Sequence, residues 1–298
     1  MNISAALVAT LRSRTQASLM DCKRALVATA GDIEEAIQVM RKAGHAKAGA
    51  KAGRIAAEGV IEALCAADGQ SAVLLEVNSE TDFVAREQQF RAFAAEAAAA
   101  ALRLSATLPQ TGALEEALRT AMDAKRLDLV AQLGENLNIR RVAAYQAPAG
   151  GVVTSYLHGA SAGGGARIGV LVGLTKGSAQ TARDLAMHIA ALSPEFLHSQ
   201  DIPSARLEQE REIALAAFEQ AGQPEAIKEK VIQGKLNKFA QGISLMEQPY
   251  VKDSAQTVQA FVKAQQADVA YFVRFEVGEG IQKKVVVFRS DVLAQVQG

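Results

Sequence analysis

Side chains able to do covalent or metal chemistry are few in this chain, and they stand far apart. Cys22 and Cys65 have no short spacing between them, which excludes a disulfide framework and a cysteine-rich zinc site. The four histidines, His45, His158, His188 and His198, show no HExxH pattern and have no cysteine or carboxylate partner at a recognisable local spacing. A phosphate loop needs glycines that let backbone N–H groups close around the phosphate, ending in Gly-Lys-Ser/Thr. Here Gly234-Lys235 is followed by Leu236, with no glycine at the required distance. Gly163-Gly164-Gly165 lies between two strand-like runs, so it is a hairpin loop, not a dinucleotide fingerprint, which must open a helix. No GxSxG nucleophile elbow occurs. The expectation is a protein that is not an enzyme, with no catalytic residue, no metal ligand and no cofactor of its own.

One segment has the makings of a recognition element. In Glu76–Arg86 (EVNSETDFVAR) an apolar strand ends, a polar corner presents Thr81-Asp82-Phe83, and a helix begins. Thr81 or Asp82 can cap that helix. Phe83 then falls in or just before the first turn. A phenylalanine there either folds back into the core, which the residues alone favour, or projects as an aromatic anchor for a partner's groove.

The elements around this corner follow from capping residues and apolar periodicity. Ser4 opens a helix with Leu7, Val8 and Leu11; Ser18 opens a second with Leu19, Cys22, Ala25 and Leu26; Asp32 and Glu35 form a capping-box-like pair before a third with Ile33, Ile37 and Met40. Three such helices make a small bundle of ubiquitin-associated type, marginal alone and suited to docking. Residues 41–58 mix Arg41, Lys42, Lys47, Lys51 and Arg54 with glycines and alanines, the pattern of a basic flexible linker or a frayed helix. Apolar runs on either side of Asp68-Gly69 predict a hairpin. A long helix over 84–104, a second over 114–133 and a strand over 138–146 follow. Strands over 152–157 and 168–174, helices over 179–192 and 254–265, and a strand over 269–277 then repeat the order strand, strand, helix, helix, strand. The second half carries an insertion, Ser204–Ala221 and Glu225–Phe239 joined by Gly222-Gln223-Pro224. Its narrow stripe of Leu207, Ile213, Ala217, Ile227, Val231 and Leu236 predicts a protruding antiparallel coiled-coil hairpin.

Composition narrows the classes further. Lys+Arg and Asp+Glu are both 32, and a protein that coats nucleic acid carries a basic excess; direct nucleic-acid binding is therefore not expected. With 49% hydrophobic and 21% charged residues, the 298-residue chain can bury a sizeable core and is not disordered. No uncharged apolar run of about 18 residues suggests a membrane span. The start lacks a cationic segment ahead of an apolar one, so no signal peptide is expected. These features point to a reduced cytoplasmic protein. The fold class is α+β, with an N-terminal three-helix module over 1–54, a core subdomain over 55–147, a second over 148–280 with the helical hairpin inserted at 195–239, and a C-terminal module over 281–298.

The corner closely resembles a signature of the elongation factor Ts family. Four further stretches match the family in its own order: Leu11–Leu26 (LRSRTQASLMDCKRAL), Gly134–Arg141 (GENLNIRR), Arg167–Val172 (RIGVLV) and Phe272–Gly280 (FVRFEVGEG). The resemblance implies a guanine nucleotide exchange factor that binds the GTPase elongation factor Tu in its GDP-bound and nucleotide-free forms. It implies that Thr81, Asp82, Phe83 and Val84 disturb the partner's Mg²⁺ site, with Phe83 pushing between helices and Asp82 positioning the corner. It further implies partner contacts at Arg12, Thr15, Met20, Asp21 and Lys23, at Leu133 and Gly134, and at His158 beside Tyr156. Self-association through the hairpin is a family possibility, and the full hairpin with no transit peptide favours a bacterial protein. Two features depart from the family: Gln16 stands where glycine is usual, and the loop 159–166 is longer than usual. The competing class is an RNA- or ribosome-associated factor using the basic stretch 41–54, against which the zero net charge argues.

Overall fold

A computed structural model describes residues 3–15, 17, 19–108, 111–160, 165–221 and 224–282, without the side chains of 45–50 and 111. Gln16, the Ser18 cap, Gly163 and Gly164, the Gly222-Gln223 turn and most of the C-terminal module lie outside the described residues. The fold mixes helices with small antiparallel sheets.

Strand β1 (Glu58–Cys65) turns through Asp68-Gly69 into β2 (Ser71–Ser79), and β3 (Asn138–Gln146) pairs with the other edge of β2. In the second half β4 (Val152–His158), β5 (Ile168–Lys176) and β8 (Asp268–Glu276) form a second sheet with β5 in the middle. Each sheet is thus an antiparallel hairpin plus a strand that returns after helices. The two sheets meet face to face. Val73, Leu75 and Val77 of β2 point to the helices of their own half, while Ala72 and Leu74 point to Val153, Leu171 and Phe275 of the other. A central strand covered on both faces needs apolar residues at every position, which is why Val73–Val77 reads as a nearly unbroken apolar run.

Two contacts fix that interface. Tyr145 of β3 stacks on Tyr271 of β8 at 4.8 Å, and burial pushes the Tyr271 hydroxyl up to about 12. Their neighbour Gly173 has no room for a side chain, since a Cβ there would lie 2.2 Å from the Tyr145 ring. Nearby, Glu76 is fully buried at a break in the β2–β3 register. Its carboxylate accepts from Arg141 Nε (2.6 Å), Arg140 Nη1 (3.1 Å), Asn78 Nδ2 (2.8 Å) and the Gly278 N–H (2.8 Å). Arg141 also reaches the Glu276 carbonyl at 2.9 Å. A buried charge is tolerable only when its acceptor sites are filled in this way, and here filling them ties the two sheets together.

The outer face of the first sheet is covered by α4 (Asp82–Arg86), α5 (Gln88–Ser105) and α6 (Thr111–Leu133). The single helix predicted over 84–104 is broken at Glu87, whose backbone is extended (φ −64°, ψ 136°). Helical phase explains the break. Phe90, Phe93, Ala94, Ala97 and Ala101 form the buried stripe of α5. At ~100° per residue, Val84 and Ala85 would face away from that stripe in one continuous helix. Both are buried, so the chain resets its phase at Glu87.

The N-terminal helices are α1 (Ala5–Thr15), α2 (Leu19–Ala28) and α3 (Ile33–Lys51), packed around Val8, Leu11, Cys22, Leu26 and Ala36. Ser4 Oγ accepts the Leu7 N–H at 3.2 Å, and Asp32 Oδ1 accepts that of Glu35 at 2.8 Å, one half of the capping box. Of the two readings of the basic stretch from 41 onward, flexible linker or frayed helix, the structure shows helix as far as Lys51. It packs on α6: Arg41 pairs with Asp128 at 3.0 Å, and a Cβ on Gly44 would lie 2.8 Å from that of Ala131. Close helix–helix approach here outweighs the poor helix propensity of glycine.

The second sheet is covered by α7 (Ala179–Leu192), which Ser178 caps by accepting the Thr181 N–H at 3.1 Å. Helices α8 (Ser204–Gln220) and α9 (Lys228–Ile243) pack side by side, with Arg211 and Glu229 paired at 3.1 Å. Their buried positions are Ala214, Phe218 and Ile232, whereas Ile213, Ala217 and Ile227 of the predicted stripe are exposed. The seam follows Phe218 and its i−4 neighbour Ala214, one residue along from the pattern read in sequence. The helix predicted over 254–265 is also shorter. Residues Asp253–Thr257 form β7, paired with β6 (Pro249–Tyr250), and α10 (Val258–Ala264) starts only after Thr257, whose Oγ1 accepts the Ala260 N–H at 3.2 Å.

Candidate functional site

Strand β2 runs into the corner fully buried through Ser79, and the chain then turns sharply into α4. Thr81, not Asp82, is the cap: its Oγ1 accepts the Val84 N–H at 3.4 Å. Asp82 lies on the outside and pairs with Arg86 one turn on, at 2.6 Å. Val84 and Ala85 form the buried underside of α4. Phe83 is the exception. It is 75% exposed, so the inward-folded alternative favoured by the residues alone is overturned. The reason is positional: Val84 and Ala85 take the inward places of the short helix, and Phe83 is directed outward. Exposing rather than burying a phenylalanine forgoes about 1.5–3 kcal/mol, and a projecting aromatic is the type of side chain that anchors protein interfaces.

The corner is held by the turn that follows α6. Gly134 ends that helix with φ +82°, a left-handed conformation that glycine adopts without a Cβ penalty. The next residue, Glu135, places its carboxylate under the corner. Oε2 accepts the N–H groups of Glu80 (3.1 Å) and Thr81 (3.0 Å), and Oε1 accepts the Thr81 hydroxyl at 2.6 Å. Glu80 returns the contact by accepting the Asn136 N–H at 2.6 Å. Asn136 Nδ2 donates to the Ala52 and Arg54 carbonyls at 3.3 and 2.8 Å, just beyond α3. The Lys51 ammonium lies close to Gly134.

The turn that follows Leu133-Gly134 therefore meets the Thr81–Val84 corner through Glu135. Leu133 is half-buried against the first-half core. His158 lies elsewhere, at the end of β4, exposed, with its Nδ1 3.1 Å from the Tyr156 hydroxyl. Its neighbour Gly159 and the corner residues Asp82 and Arg86 line one cleft of about 460 Å³, along with Glu58, Arg91 and Arg167. Beside it, burial pushes the Glu62 carboxyl up, against a hydrogen bond from the Gly165 backbone and the field of Arg91. The remaining expected contacts sit on the N-terminal bundle. Arg12, Met20 and Lys23 are exposed. Thr15 Oγ1 donates to the Leu11 carbonyl at 2.8 Å, and Asp21 pairs with Arg24. Leu19 and Met20 leave an apolar surface at the start of α2.

Glu80, Glu135 and Asn136 were not singled out by sequence. Their partners are more than 50 positions away in sequence, beyond the reach of local spacing; the only sequence signal was their place in stretches that match the family. Among the described residues, no three His, Cys, Asp or Glu side chains are grouped to hold a metal ion, and no helix is long and apolar enough to cross a membrane.

Comparison with known proteins identifies the family. The family model for elongation factor TS matches residues 80–279. Elongation factor Ts of Idiomarina loihiensis is 47% identical over 302 aligned positions, covering 99% of this chain and 98% of its own length. That of Legionella pneumophila strain Paris is 46% identical with 99% of both chains covered, and that of Alkalilimnicola ehrlichii 46% with both covered completely. With a matching family model over most of its length and full-length relatives at this identity, the chain belongs to the elongation factor Ts family.

Proposed function

We propose that this translation elongation factor acts as a guanine nucleotide exchange factor. It binds elongation factor Tu loaded with GDP, displaces the Mg²⁺ and promotes GDP release so that GTP can enter. The observation that carries this reading is Phe83, exposed on a corner whose Glu80 and Thr81 N–H groups are held by the Glu135 carboxylate. Mg²⁺ demands near-ideal octahedral geometry. A rigid aromatic that shifts the elements holding Mg²⁺ weakens nucleotide binding without making or breaking a covalent bond. Chain and GDP then oppose each other reciprocally; a coupling of about 4 kcal/mol is roughly a thousandfold in affinity.

In this reading the protein is not an enzyme and needs no cofactor or metal. Thr81–Val84 is the segment that dislocates Mg²⁺. The N-terminal helices, as a ubiquitin-associated-type module, dock through Arg12, Thr15, Met20, Asp21 and Lys23, while Leu133, Gly134 and His158 add contacts. The hairpin α8–α9 is a coiled-coil projection able to mediate self-association. The protein works in the cytoplasm without binding membrane or nucleic acid. The test is release of fluorescent GDP from elongation factor Tu with and without this chain. Catalytic amounts should accelerate release steeply. A folded chain that leaves release by a matched partner unchanged would sink the reading.

A further inference from the structure

We infer that Glu135 is a positioning residue that holds Phe83 in its projecting pose; the inference rests on the exchange reading above. Three donors converge on this one carboxylate: the N–H groups of Glu80 and Thr81 and the Thr81 hydroxyl. Only an ionised carboxylate is acceptor-only on both oxygens, and hydrogen bonds to an ionised group are about twice as strong as neutral ones. The Thr81 bond does a second job. Because the Thr81 hydroxyl donates to Glu135, its oxygen is turned toward the Val84 N–H that it caps. The carboxylate therefore fixes the first turn of α4 by relay.

That bracing matters because α4 is short. Five residues are too few to be helical unaided, and Phe83 has little packing to hold its own direction. Val84 and Ala85 anchor the underside of α4, but the approach of the chain into the helix is set at Glu80 and Thr81. The clasp is reciprocal, since Glu80 accepts the Asn136 N–H. Through Asn136 it continues to the carbonyls of Ala52 and Arg54, where the N-terminal helices join the core. The hydrogen bonds of Glu135 go to Glu80 and Thr81, on the approach to α4, so its effect reaches a partner through the pose of Phe83.

The test uses the full chain carrying Glu135→Ala or Glu135→Gln, each alone and combined with Phe83→Ala. GDP release is followed over a range of chain concentrations, separating the limiting rate from the half-saturating concentration. Glu135→Ala should lower the limiting rate about tenfold, the rate equivalent of losing one hydrogen bond to a charged group, and move half-saturation less than about twofold. Glu135→Gln, which keeps one acceptor oxygen, should recover part of the loss. In the Phe83→Ala background Glu135→Ala should add less than about twofold, because residues acting as a unit are not additive. A full additive loss in that background, or a loss confined to half-saturation, overturns the inference. Hydrogen exchange on the free chain gives a second readout. The amides of 80–86 should exchange about tenfold faster in Glu135→Ala while those of β2 and α5 stay protected; unchanged protection at 80–86 overturns the inference. If the wild-type chain fails to accelerate release, the exchange reading fails, and the hydrogen-exchange result alone then decides whether Glu135 holds the corner.

Discussion

Phe83→Ala separates stability from function more cleanly than any other change in this chain. Phe83 is 75% exposed, so folding covers only a quarter of it. Full burial of a phenylalanine is worth about 1.5–3 kcal/mol; a quarter of that is under about 1 kcal/mol, and the better helix propensity of alanine offsets part of it. The urea midpoint should hardly move. The effect on exchange is set by the part still in water. A phenylalanine that buries about 200 Å² in total has about 150 Å² left to lose to a partner. At about 25 cal/mol per Å² that is a ceiling near 4 kcal/mol. Ordering the ring, and the Cβ that alanine retains, bring this to about 2–3 kcal/mol, in the range of an interface hot spot. The limiting rate of GDP release should therefore fall roughly thirty- to one-hundred-and-fiftyfold. The assay is stopped-flow release of fluorescent GDP from elongation factor Tu, with unfolding curves on the same samples. A variant that unfolds several kcal/mol earlier would refute the argument that Phe83 is carried outside the core. A variant as stable and as fast as wild type would refute its role as the wedge.

The remaining predictions concern the frame behind the corner. Glu76→Ala leaves Arg140 and Arg141 without their shared carboxylate between the sheets and should lower stability by about 3–5 kcal/mol in urea unfolding; a loss under about 1 kcal/mol would show that the arginines simply rehydrate. Gly173→Ala forces a Cβ into the Tyr145 ring and should cost about 1–3 kcal/mol as overpacking, part of which a smaller side chain at Tyr145 should restore; a neutral substitution would mean that the sheets can separate locally. His188 is buried, accepts the Val251 N–H on Nδ1 at 3.1 Å and meets Gln248 Oε1 through Nε2 at 2.9 Å, with Tyr250 stacked beside it. Burial pushes its pKa down, against the Gln248 hydrogen bond, so the unfolded chain binds more protons than the folded one below the ordinary imidazole value of about 6.5. Stability should be level above that pH and fall as pH drops from about 6.5 toward 5.5; His188→Leu should be less stable throughout and lose that slope, and an unchanged slope would assign it to other groups.

Most of the frame could be read from sequence because its signals are local. The Asp68-Gly69 hairpin, the unbroken apolar run of β2 and the strand, strand, helix, helix, strand order each depend on neighbours within a few residues. The errors share one cause, a tertiary contact that outweighs local preference. Residues 41–51 look like a linker or a frayed helix because glycine weakens a helix, yet Gly44 is the residue that lets α3 lie against Ala131. The run from Val84 looks like one helix because alanine propagates helix, yet the core takes Val84, Ala85 and Phe90 at incompatible phases. The sequence reads as helix from Ser254, yet pairing with β6 delays the start of α10 until after Thr257.

The same distinction divides the site. That Thr81 and Phe83 stand at a strand-to-helix corner was legible; that Phe83 faces water was not, because direction in the first turn depends on which neighbours the core has already taken. Val84 and Ala85 take the inward positions only because Glu87 breaks the helix behind them, and the break in turn answers to the stripe of α5. The clasp between Glu135 and Thr81 depends on α5, α6 and the returning turn bringing two distant corners within hydrogen-bond reach. An exposed aromatic is thus carried by a chain of consequences that begins in the core: Phe90 and its stripe set the phase of α5, the phase sets the break, the break leaves a five-residue helix, and that helix needs an outside brace to aim its one outward phenylalanine. If that chain is correct, moving the break should move the wedge. Val84→Asp, which removes one of the inward anchors that demand the break and puts a charge where burial is costly, should lose exchange activity with Phe83 itself untouched; GDP release as fast as wild type would refute the chain of consequences.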